Sequence, residues 1–244
     1  ASERSLMTPS FPRRLLSALF PPDARRRLCE LAGNDRYSHP ALNDLDTRIA
    51  ALIPERNLSF IELGANDGFT QSNTYYLERF RGWRGILIEP IPELYERALA
   101  RRPKARVFNA ACVPFDFDQP TIPMTYCNLM SVVQGSLQDD KLEADHLRIG
   151  REIQHVQSYE IDVPARTLTS IIEEAGMRSV DFLSLDVEGF ELDVLKGLDF
   201  ERYAPRFMLI EARFKAEIDQ FLGERYQVTA QLSEMDHLYV RSGK

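Results

Sequence analysis

An apolar strand that runs straight into a glycine turn constrains this chain more than any other feature. Residues 60–68 read Phe-Ile-Glu-Leu-Gly-Ala-Asn-Asp-Gly, and a second apolar run ends at Glu89. Gly64 and Gly68 allow main-chain N–H groups to approach a ligand closely, and a carboxylate that ends the next strand can accept both ribose hydroxyl protons. The segment therefore predicts a nucleoside-binding crevice at the edge of an α/β sheet.

The position of the acidic residue distinguishes two kinds of nucleoside. The pattern from Glu62 to Gly68 is acidic-x-Gly-x-x-x-Gly, whereas a dinucleotide fold has Gly-x-Gly-x-x-Gly and binds pyrophosphate at the helix that follows. Glu62 would repel that pyrophosphate but would attract the cationic groups of S-adenosylmethionine. We therefore expect S-adenosylmethionine, and an NAD-dependent oxidoreductase is the weaker alternative. A plain glycine turn without a ligand also fits the spacing alone.

Further motifs support this interpretation. The chain resembles the FkbM family of S-adenosylmethionine-dependent methyltransferases in Ile61–Gly68, Ser72–Thr74, Gly82–Pro90 and Leu185–Glu191. The resemblance spans about residues 57–214, while residues 1–56 and 115–160 carry little of it. It implies oxygen methylation of a sugar, a polysaccharide end or a polyketide-like natural product.

The motifs also predict where the cofactor lies. Residues after the first strand should surround its methionine part, with Asn73 at the start of the next helix. Glu89 should bind the ribose, and the turn after the third strand should hold the adenine. Asn73 is equally suited to capping a helix, and Asn109 to ending a strand. The predicted cofactor residues are Glu62, Gly64, Ala65, Asn66, Gly68, Asn73, Glu89, Asn109 and Ala110.

Asp186 and Glu188 follow another apolar run and form a second candidate site. Asp186 could orient or deprotonate an acceptor hydroxyl, or bind a divalent cation that lowers the pKa of that hydroxyl. Glu211 ends the following strand, so Asp186 and Glu211 together would suit Mg²⁺. Either Asp186 or Glu188 could instead cap the helix that begins near Gly189.

Histidines are further candidates for the base. His155 and His146 lie in a segment that we expect to cover the crevice. We predict Asp186, Glu188 and His155 as the catalytic residues. Methyl transfer from a sulfonium is an in-line displacement, so alignment of the acceptor oxygen with the methyl group supplies much of the acceleration.

Short apolar runs alternate with helical stretches from Leu58 onward. This alternation predicts a doubly wound, Rossmann-like α/β fold with a mostly parallel sheet. A C-terminal antiparallel hairpin should pair residues 227–232 with 237–241. The other predicted strands are 58–63, 85–89, 105–111, 180–186 and 206–211, and the predicted helices are about 71–80, 92–101, 167–175, 189–198 and 215–222.

We expect a methyltransferase domain over residues 57–244 behind an N-terminal helical extension, residues 1–56. Helical spacing at 21–31 and 40–53 supports that extension. Prolines and a charged stretch interrupt the alternation between about 114 and 164. We expect this insertion to be a lid that recognises the acceptor, and a flexible surface loop is the alternative.

Composition narrows the partners and the location. A net charge of −7 argues against a nucleic-acid surface, and the apolar run at 15–20 is too short to span a membrane. Three cysteines without metal-binding spacing favour a reducing cytoplasm. We therefore expect a small-molecule or carbohydrate acceptor, and the oligomeric state stays open.

These features together predict an S-adenosylmethionine-dependent O-methyltransferase. A noncatalytic binding module that keeps the fold is the alternative from another class, because a site can be reused for interaction after turnover is lost. Retention of Glu62, both glycines of the turn, Glu89 and Asp186 argues against that alternative.

Overall fold

A computed structural model describes residues 20–243, so the first part of the predicted extension, residues 1–19, lies outside the described residues. The chain forms two compact units, one before Pro40 and one from Pro40 onward. The smaller unit contains helix α1, Pro22–Leu31, which has proline in its first turn. Among the described helices, each is too short or too polar to traverse a bilayer.

The larger unit alternates strands and helices. Within residues 20–243, the strands are β1 Ser59–Leu63, β2 Arg84–Ile88, β3 Arg106–Phe108, β4 Ala111–Cys112, β5 Thr121–Tyr126, β6 Val132–Val133, β7 Tyr159–Arg166, β8 Phe182–Leu185, β9 Phe207–Glu211, β10 Tyr226–Gln231 and β11 Asp236–Arg241. The helices after α1 are α2 Leu45–Leu52, α3 Tyr75–Arg81, α4 Pro92–Arg101, α5 Asp140–Gln154, α6 Leu168–Glu174, α7 Glu191–Lys196, α8 Phe200–Tyr203 and α9 Lys215–Leu222.

The main sheet has the order β10-β11-β9-β8-β1-β2-β3. The strands from β9 to β3 in this order are parallel, and β11 and β10 add an antiparallel hairpin at one edge. Because the order reverses direction beside β1, the sheet is doubly wound and its crevice opens at that switch point. The predicted Rossmann-like fold class and the terminal hairpin are therefore confirmed.

Both faces of the main sheet are buried, because successive strand residues point to opposite sides. Ile61 belongs to one apolar core together with Leu183. Phe60 belongs to a second core, where it packs with Phe182 and Leu209. This two-sided burial explains why the central strands read as continuous apolar runs.

The third parallel strand is shorter than predicted. β3 ends at Phe108, while β4 begins at Ala111 and pairs with β7 instead. The Asn109 side-chain amide donates to the main-chain carbonyls of Glu89 and Pro90 at 2.9 and 2.7 Å and holds the bend between β3 and β4. The single strand expected here is thus divided between two sheets.

The predicted insertion supplies most of a second, four-stranded sheet, whose strand β4 lies just before the insertion. Its strands follow the order β4-β7-β5-β6 around a separate apolar core. Helix α5 follows β6, and the Asp139 carboxylate caps it by accepting the N–H groups of Lys141 and Leu142 at 2.8 and 2.9 Å. His146 and Gly150 lie on the buried face of α5. The charged stretch therefore has an inward face that its composition obscures.

Candidate active site

A cavity of about 510 Å³ opens at the carboxyl ends of β1, β2, β8 and β9. This is the edge where doubly wound sheets bind ligands, and the volume is typical of a small-molecule site. The predicted site residues that line the cavity are Glu62, Gly64, Asn66, Asn73, Glu89, Ala110, Asp186, Glu188 and Glu211. The structure therefore brings both predicted sites into one cavity.

The turn after β1 packs directly on the turn after β8. Gly64 has a φ of +73°, and a Cβ atom there would lie 2.0 Å from the Asp186 carbonyl oxygen. Gly68 has a φ of +76°, and a Cβ atom there would lie 3.0 Å from the Cα of Ala98 and from the Arg102 side chain. Backbone conformation and close packing both require these glycines.

Glu62 is buried and anchors the segment that follows the β1 turn. Its carboxylate accepts hydrogen bonds from the Ser72 hydroxyl at 2.9 Å, the Asn73 N–H at 2.8 Å and the Thr74 hydroxyl. The guanidinium of Arg102, which is fully buried, lies 3.6 Å from Glu62. The carboxylate predicted to hold the cofactor therefore also shapes the loop around the cofactor site.

Glu89 lies one strand away on the same edge. Its carboxylate accepts the Asn66 N–H at 2.8 Å and the Ile91 N–H at 2.9 Å. Burial raises the pKa of Glu89 to about 7, although these hydrogen bonds favour the charged form. A carboxylate oxygen has a second lone pair, so Glu89 can still accept the hydroxyl protons of a ribose.

Asn73 presents an unsatisfied acceptor at this end of the cavity. Its side-chain N–H donates to the Ser184 hydroxyl at 3.0 Å, and the side chain is 8% exposed. Its side-chain oxygen is buried and has no hydrogen-bond partner among the described residues. A buried amide oxygen without a partner is costly, so the site is suited to a ligand that donates a hydrogen bond there.

The carboxylates of Asp186, Glu188 and Glu211 each offer an oxygen atom within 4.8 Å of the others. The Asp186 side chain is exposed to the cavity, and protein surrounds its other sides. The resulting loss of solvation and the neighbouring Glu211 carboxylate raise the pKa of Asp186. Burial and Glu211 raise the pKa of Glu188 to about 8, and burial raises that of Glu211. Carboxylates this close need a proton or a cation between them.

Glu188 has two basic neighbours on the cavity wall. Its backbone is in the left-handed region, with a φ of +54°. Its carboxylate accepts a hydrogen bond from the Arg213 guanidinium at 2.9 Å. His146 Nε2 lies 3.7 Å from the same carboxylate and 3.2 Å from the Met130 carbonyl oxygen. Burial and the charge of Arg213 lower the pKa of His146, so its imidazole is neutral near pH 7.

Four predicted residues are not among the described residues that line the cavity. Ala65 and Gly68 shape the β1 turn, where the Ala65 N–H bonds the Ile88 carbonyl at 3.2 Å. Asn109 supports the backbone around Glu89. His155 is exposed in a left-handed conformation just after α5, with a φ of +52°. The cavity wall therefore contains His146 but lacks His155.

Sequence analysis predicted no role for several residues that lie in or beside the cavity. Ser184 was detectable, because it is a polar residue inside the buried run of β8. Asn128 and Gln154 enter the cavity from the insertion, whose fold could not be read locally. Arg102 gave no local signal, since Arg101-Arg102-Pro103 looks like an exposed basic turn. The cavity-lining residues missed by sequence reasoning include Asn128, Gln154, Ser184, Arg213 and Asp236.

The doubly wound sheet and the ligand-sized cavity at its switch point fit a Rossmann-like methyltransferase. Residues 62–239 match the Methyltransferase FkbM domain, so the chain belongs to the FkbM family and is a methyltransferase. Methyltransferase sdnD of Sordaria araneosa is 24% identical, and the match covers 71% of this chain and 77% of that protein.

Solved structures with related coordinates include two bacterial proteins. A methyltransferase from Geobacter sulfurreducens has a TM-score of 0.43 at 14% identity, and the match covers 96% of this chain and 98% of that one. A TehB-like SAM-dependent methyltransferase from Corynebacterium glutamicum has a TM-score of 0.38 at 12% identity, and the match covers 95% of this chain and 100% of that one.

Proposed function

We propose that this methyltransferase uses S-adenosylmethionine to methylate a hydroxyl oxygen of a small molecule, sugar or glycan. The carrying observation is that one cavity is lined both by Glu89 and Asn73 and by Asp186 and Glu211. We call these the cofactor end and the acceptor end. A cytoplasmic location and a partner other than nucleic acid belong to the same proposal; the pattern of three cysteines supports the first, and the net charge of −7 supports the second.

The cofactor end fits an adenosyl amino acid. When bound, S-adenosylmethionine would supply an electrophilic methyl group on a sulfonium. Glu89 would accept the ribose hydroxyls, and the turn from Gly64 to Gly68 would pack against the amino acid part. Ala110 lines the cavity with a small side chain, which leaves room for the adenine ring.

The acceptor end fits a divalent cation such as Mg²⁺. Asp186 and Glu211 both line the cavity, and one buried Glu211 oxygen has no hydrogen-bond partner among the described residues. Since Arg213 already engages Glu188, we assign Asp186 and Glu211 as the metal ligands. A bound Mg²⁺ would lower the pKa of the acceptor hydroxyl.

We propose His146, in place of His155, as the base that takes the acceptor proton. The hydrogen bond to the Met130 carbonyl orients the His146 ring, and the ring lies on the cavity wall. Bound S-adenosylmethionine would supply the methyl carbon to the acceptor oxygen and would keep the electron pair of the carbon–sulfur bond on sulfur. The hydroxyl proton passes to His146, and the Glu188 carboxylate, 3.7 Å from the ring, offsets part of the repulsion between Arg213 and the charged imidazole.

Ligand binding tests the proposal against its alternatives. S-adenosylmethionine and S-adenosylhomocysteine should each raise the free energy of unfolding, by about 2.7 kcal/mol at a hundredfold excess over Kd, while NAD should have no effect. A response to NAD alone would support an oxidoreductase. Binding of the sulfur nucleosides without transfer to any acceptor would favour the noncatalytic module.

Turnover then identifies the acceptor. Labelled methyl donor should be offered with panels of sugars and natural products, with and without a chelator. Asp186→Asn should lose turnover, and chelation should abolish it in the parent protein. Full activity of Asp186→Asn under chelation would remove both proposed roles of that carboxylate.

A further inference from the structure

The turn after β8 has two positive φ angles and carries two of the cavity carboxylates. Glu188 has a φ of +54° and Gly189 a φ of +98°. For a glutamate this conformation is strained, so the surrounding structure has to hold it. Asp186 and Glu188 line the cavity from this turn. The contacts that hold the turn therefore determine where these carboxylates lie.

The first peptide group of the turn, between Asp186 and Val187, is held from two sides. Its carbonyl oxygen packs against Gly64, where a Cβ atom would lie 2.0 Å away. Its N–H group donates to Glu191 Oε1 at 3.2 Å. Since the Asp186 side chain branches from the Cα just before this peptide group, the two contacts orient its carboxylate at the end of β8.

The second peptide group, between Glu188 and Gly189, is also held from two sides. Its carbonyl oxygen accepts the Ser136 hydroxyl of the insertion at 3.2 Å. Its N–H group donates to the same Glu191 oxygen at 2.9 Å. One carboxylate oxygen thus bridges both peptide groups. Because the backbone of Glu188 is left-handed, loss of this bridge would let the turn relax to a more favourable conformation.

Glu191 contacts the turn but is not among the described residues that line the candidate active site. It begins α7 and is only 1% exposed. Its second carboxylate oxygen is buried and has no hydrogen-bond partner among the described residues. Burial of a carboxylate is costly, so its hydrogen bonds to the turn are the interactions that offset this cost.

We infer that Glu191 is a positioning residue, which acts through the turn after β8 to hold Asp186 in the orientation that binds a divalent cation. The inference rests on the proposed function, in which Asp186 and Glu211 are the metal ligands. Residues outside the ligand set commonly control metal affinity by orienting the ligands. The cofactor end does not depend on Glu191, because other main-chain N–H groups hold Glu62 and Glu89.

Three variants isolate this role from a general loss of stability. Glu191→Ala removes the acceptor of both N–H groups, whereas Glu191→Gln keeps an acceptor oxygen and removes the charge. Thr169→Val is the matched control, because Thr169 donates a buried hydrogen bond to the Gly197 carbonyl at 3.0 Å, at the other end of α7. Electron paramagnetic resonance should measure the affinity of each full chain for Mn²⁺, the probe used in place of Mg²⁺. Calorimetry should measure the affinity for S-adenosylhomocysteine.

Glu191→Ala should weaken Mn²⁺ binding by roughly 10- to 100-fold and S-adenosylhomocysteine binding by less than about threefold. Glu191→Gln and Thr169→Val should keep both affinities within about threefold of the parent protein. If Glu191→Ala does not fold, Glu191→Asp replaces it, because its carboxylate is one methylene shorter and reaches the two N–H groups less well. Glu191→Asp should then weaken Mn²⁺ binding by about 10-fold.

The outcomes separate this inference from the function on which it rests. Equal weakening of Mn²⁺ binding by Glu191→Ala and Glu191→Gln would mean that the charge of Glu191 acts on the metal, and unchanged Mn²⁺ affinity in Glu191→Ala would mean that the turn keeps its shape alone. Comparable weakening by Thr169→Val would mean a general loss of stability. Each result overturns the positioning role while leaving the proposed function intact. If the parent protein bound no Mn²⁺, the metal assignment would fail, and the inference with it.

Discussion

The two ends of the cavity differ in how their carboxylates are held. At the cofactor end, Glu62 and Glu89 each accept hydrogen bonds from neighbouring main-chain N–H groups, and Arg102 supports Glu62. At the acceptor end, carboxylate oxygens of Asp186, Glu188 and Glu211 lie within 4.8 Å of one another, and the pKa of each group is raised. The cofactor end is therefore organised before its ligand arrives, whereas the acceptor end keeps a repulsion that a ligand or metal can relieve.

The largest change in the free energy of unfolding is expected from a substitution that removes the buried charge partner of the cofactor end. Arg102→Met should lower the free energy of unfolding by about 3–5 kcal/mol, because it leaves Glu62 and Glu78 buried without their shared guanidinium. Urea denaturation measures the change. Arg148→Met is a suitable control, since Arg148 and both of its carboxylate partners are exposed on α5. Comparable losses in the two variants would show that Arg102 organises nothing specific.

The second prediction concerns the repulsion at the acceptor end. Glu211→Gln should be more stable than the parent protein without metal, because it removes one of two facing carboxylates. Mg²⁺ at a hundredfold excess over Kd should stabilise the parent by about 2.7 kcal/mol and the variant hardly at all. Thermal unfolding with and without Mg²⁺ measures both effects, and Glu201→Gln on the surface of α8 serves as the control. A parent protein indifferent to Mg²⁺ would contradict the metal assignment.

The third prediction sharpens the comparison through pH. Burial raises the pKa of Glu89 to about 7, and in the proposed function its ionised form accepts the ribose hydroxyls. Affinity for S-adenosylhomocysteine should therefore fall about fivefold when the pH drops from 7 to 6. Glu89→Gln should bind more weakly at pH 8 and should lose this dependence. An unchanged pH profile in the variant would assign the titration to another group.

The raised pKa of Glu89 also affects the free energy of unfolding without ligand, and this effect runs in the opposite direction with pH. The pKa of Glu89 rises from 4.5 to about 7 on folding, so the folded chain binds the proton more tightly than the unfolded chain does. The contribution of Glu89 to stability is complete below about pH 4.5 and disappears as the pH rises through 7. Glu89→Gln should therefore gain stability relative to the parent at pH 8 compared with pH 5, as urea denaturation at both values can establish.

The smallest effect tests whether the turn after β1 is coupled to the insertion. Asn66 donates to Asn128 at 3.4 Å, and Asn128 donates to Gln154 at the end of α5 at 3.0 Å. Asn128→Ala should cost about 1 kcal/mol and reduce the protection of α5 from hydrogen exchange that S-adenosylhomocysteine confers. Gln119→Ala, at an exposed position just before β5, is the control. Undiminished protection in Asn128→Ala would show that the amides do not couple the regions.

The cofactor end was largely predictable, because its residues follow local patterns. Glu62 and Glu89 each lie at the end of an apolar run, and the glycine turn directly follows β1. Parallel strands bring such ends to one edge, so sequence position translates into proximity. The burial of Arg102 was not predicted, because it depends on the packing of α4 against the β1 turn, which no local sequence pattern indicates.

The acceptor end was less predictable because much of it comes from the insertion. The strands of that small sheet pair across a long intervening segment, so their partners could not be read from neighbouring residues. The choice between His146 and His155 depends on where α5 begins and ends. Asp139 caps the helix and His155 follows its last turn, so only His146 shares the buried face with Gly150.

The contact between Gly64 and the Asp186 carbonyl has a consequence for how this enzyme can change. With only a hydrogen atom on residue 64, the two turns already touch, and any larger side chain would push the β8 turn outward. In the proposed function, the spacing between methyl donor and acceptor oxygen therefore depends on this one backbone contact and not on the insertion.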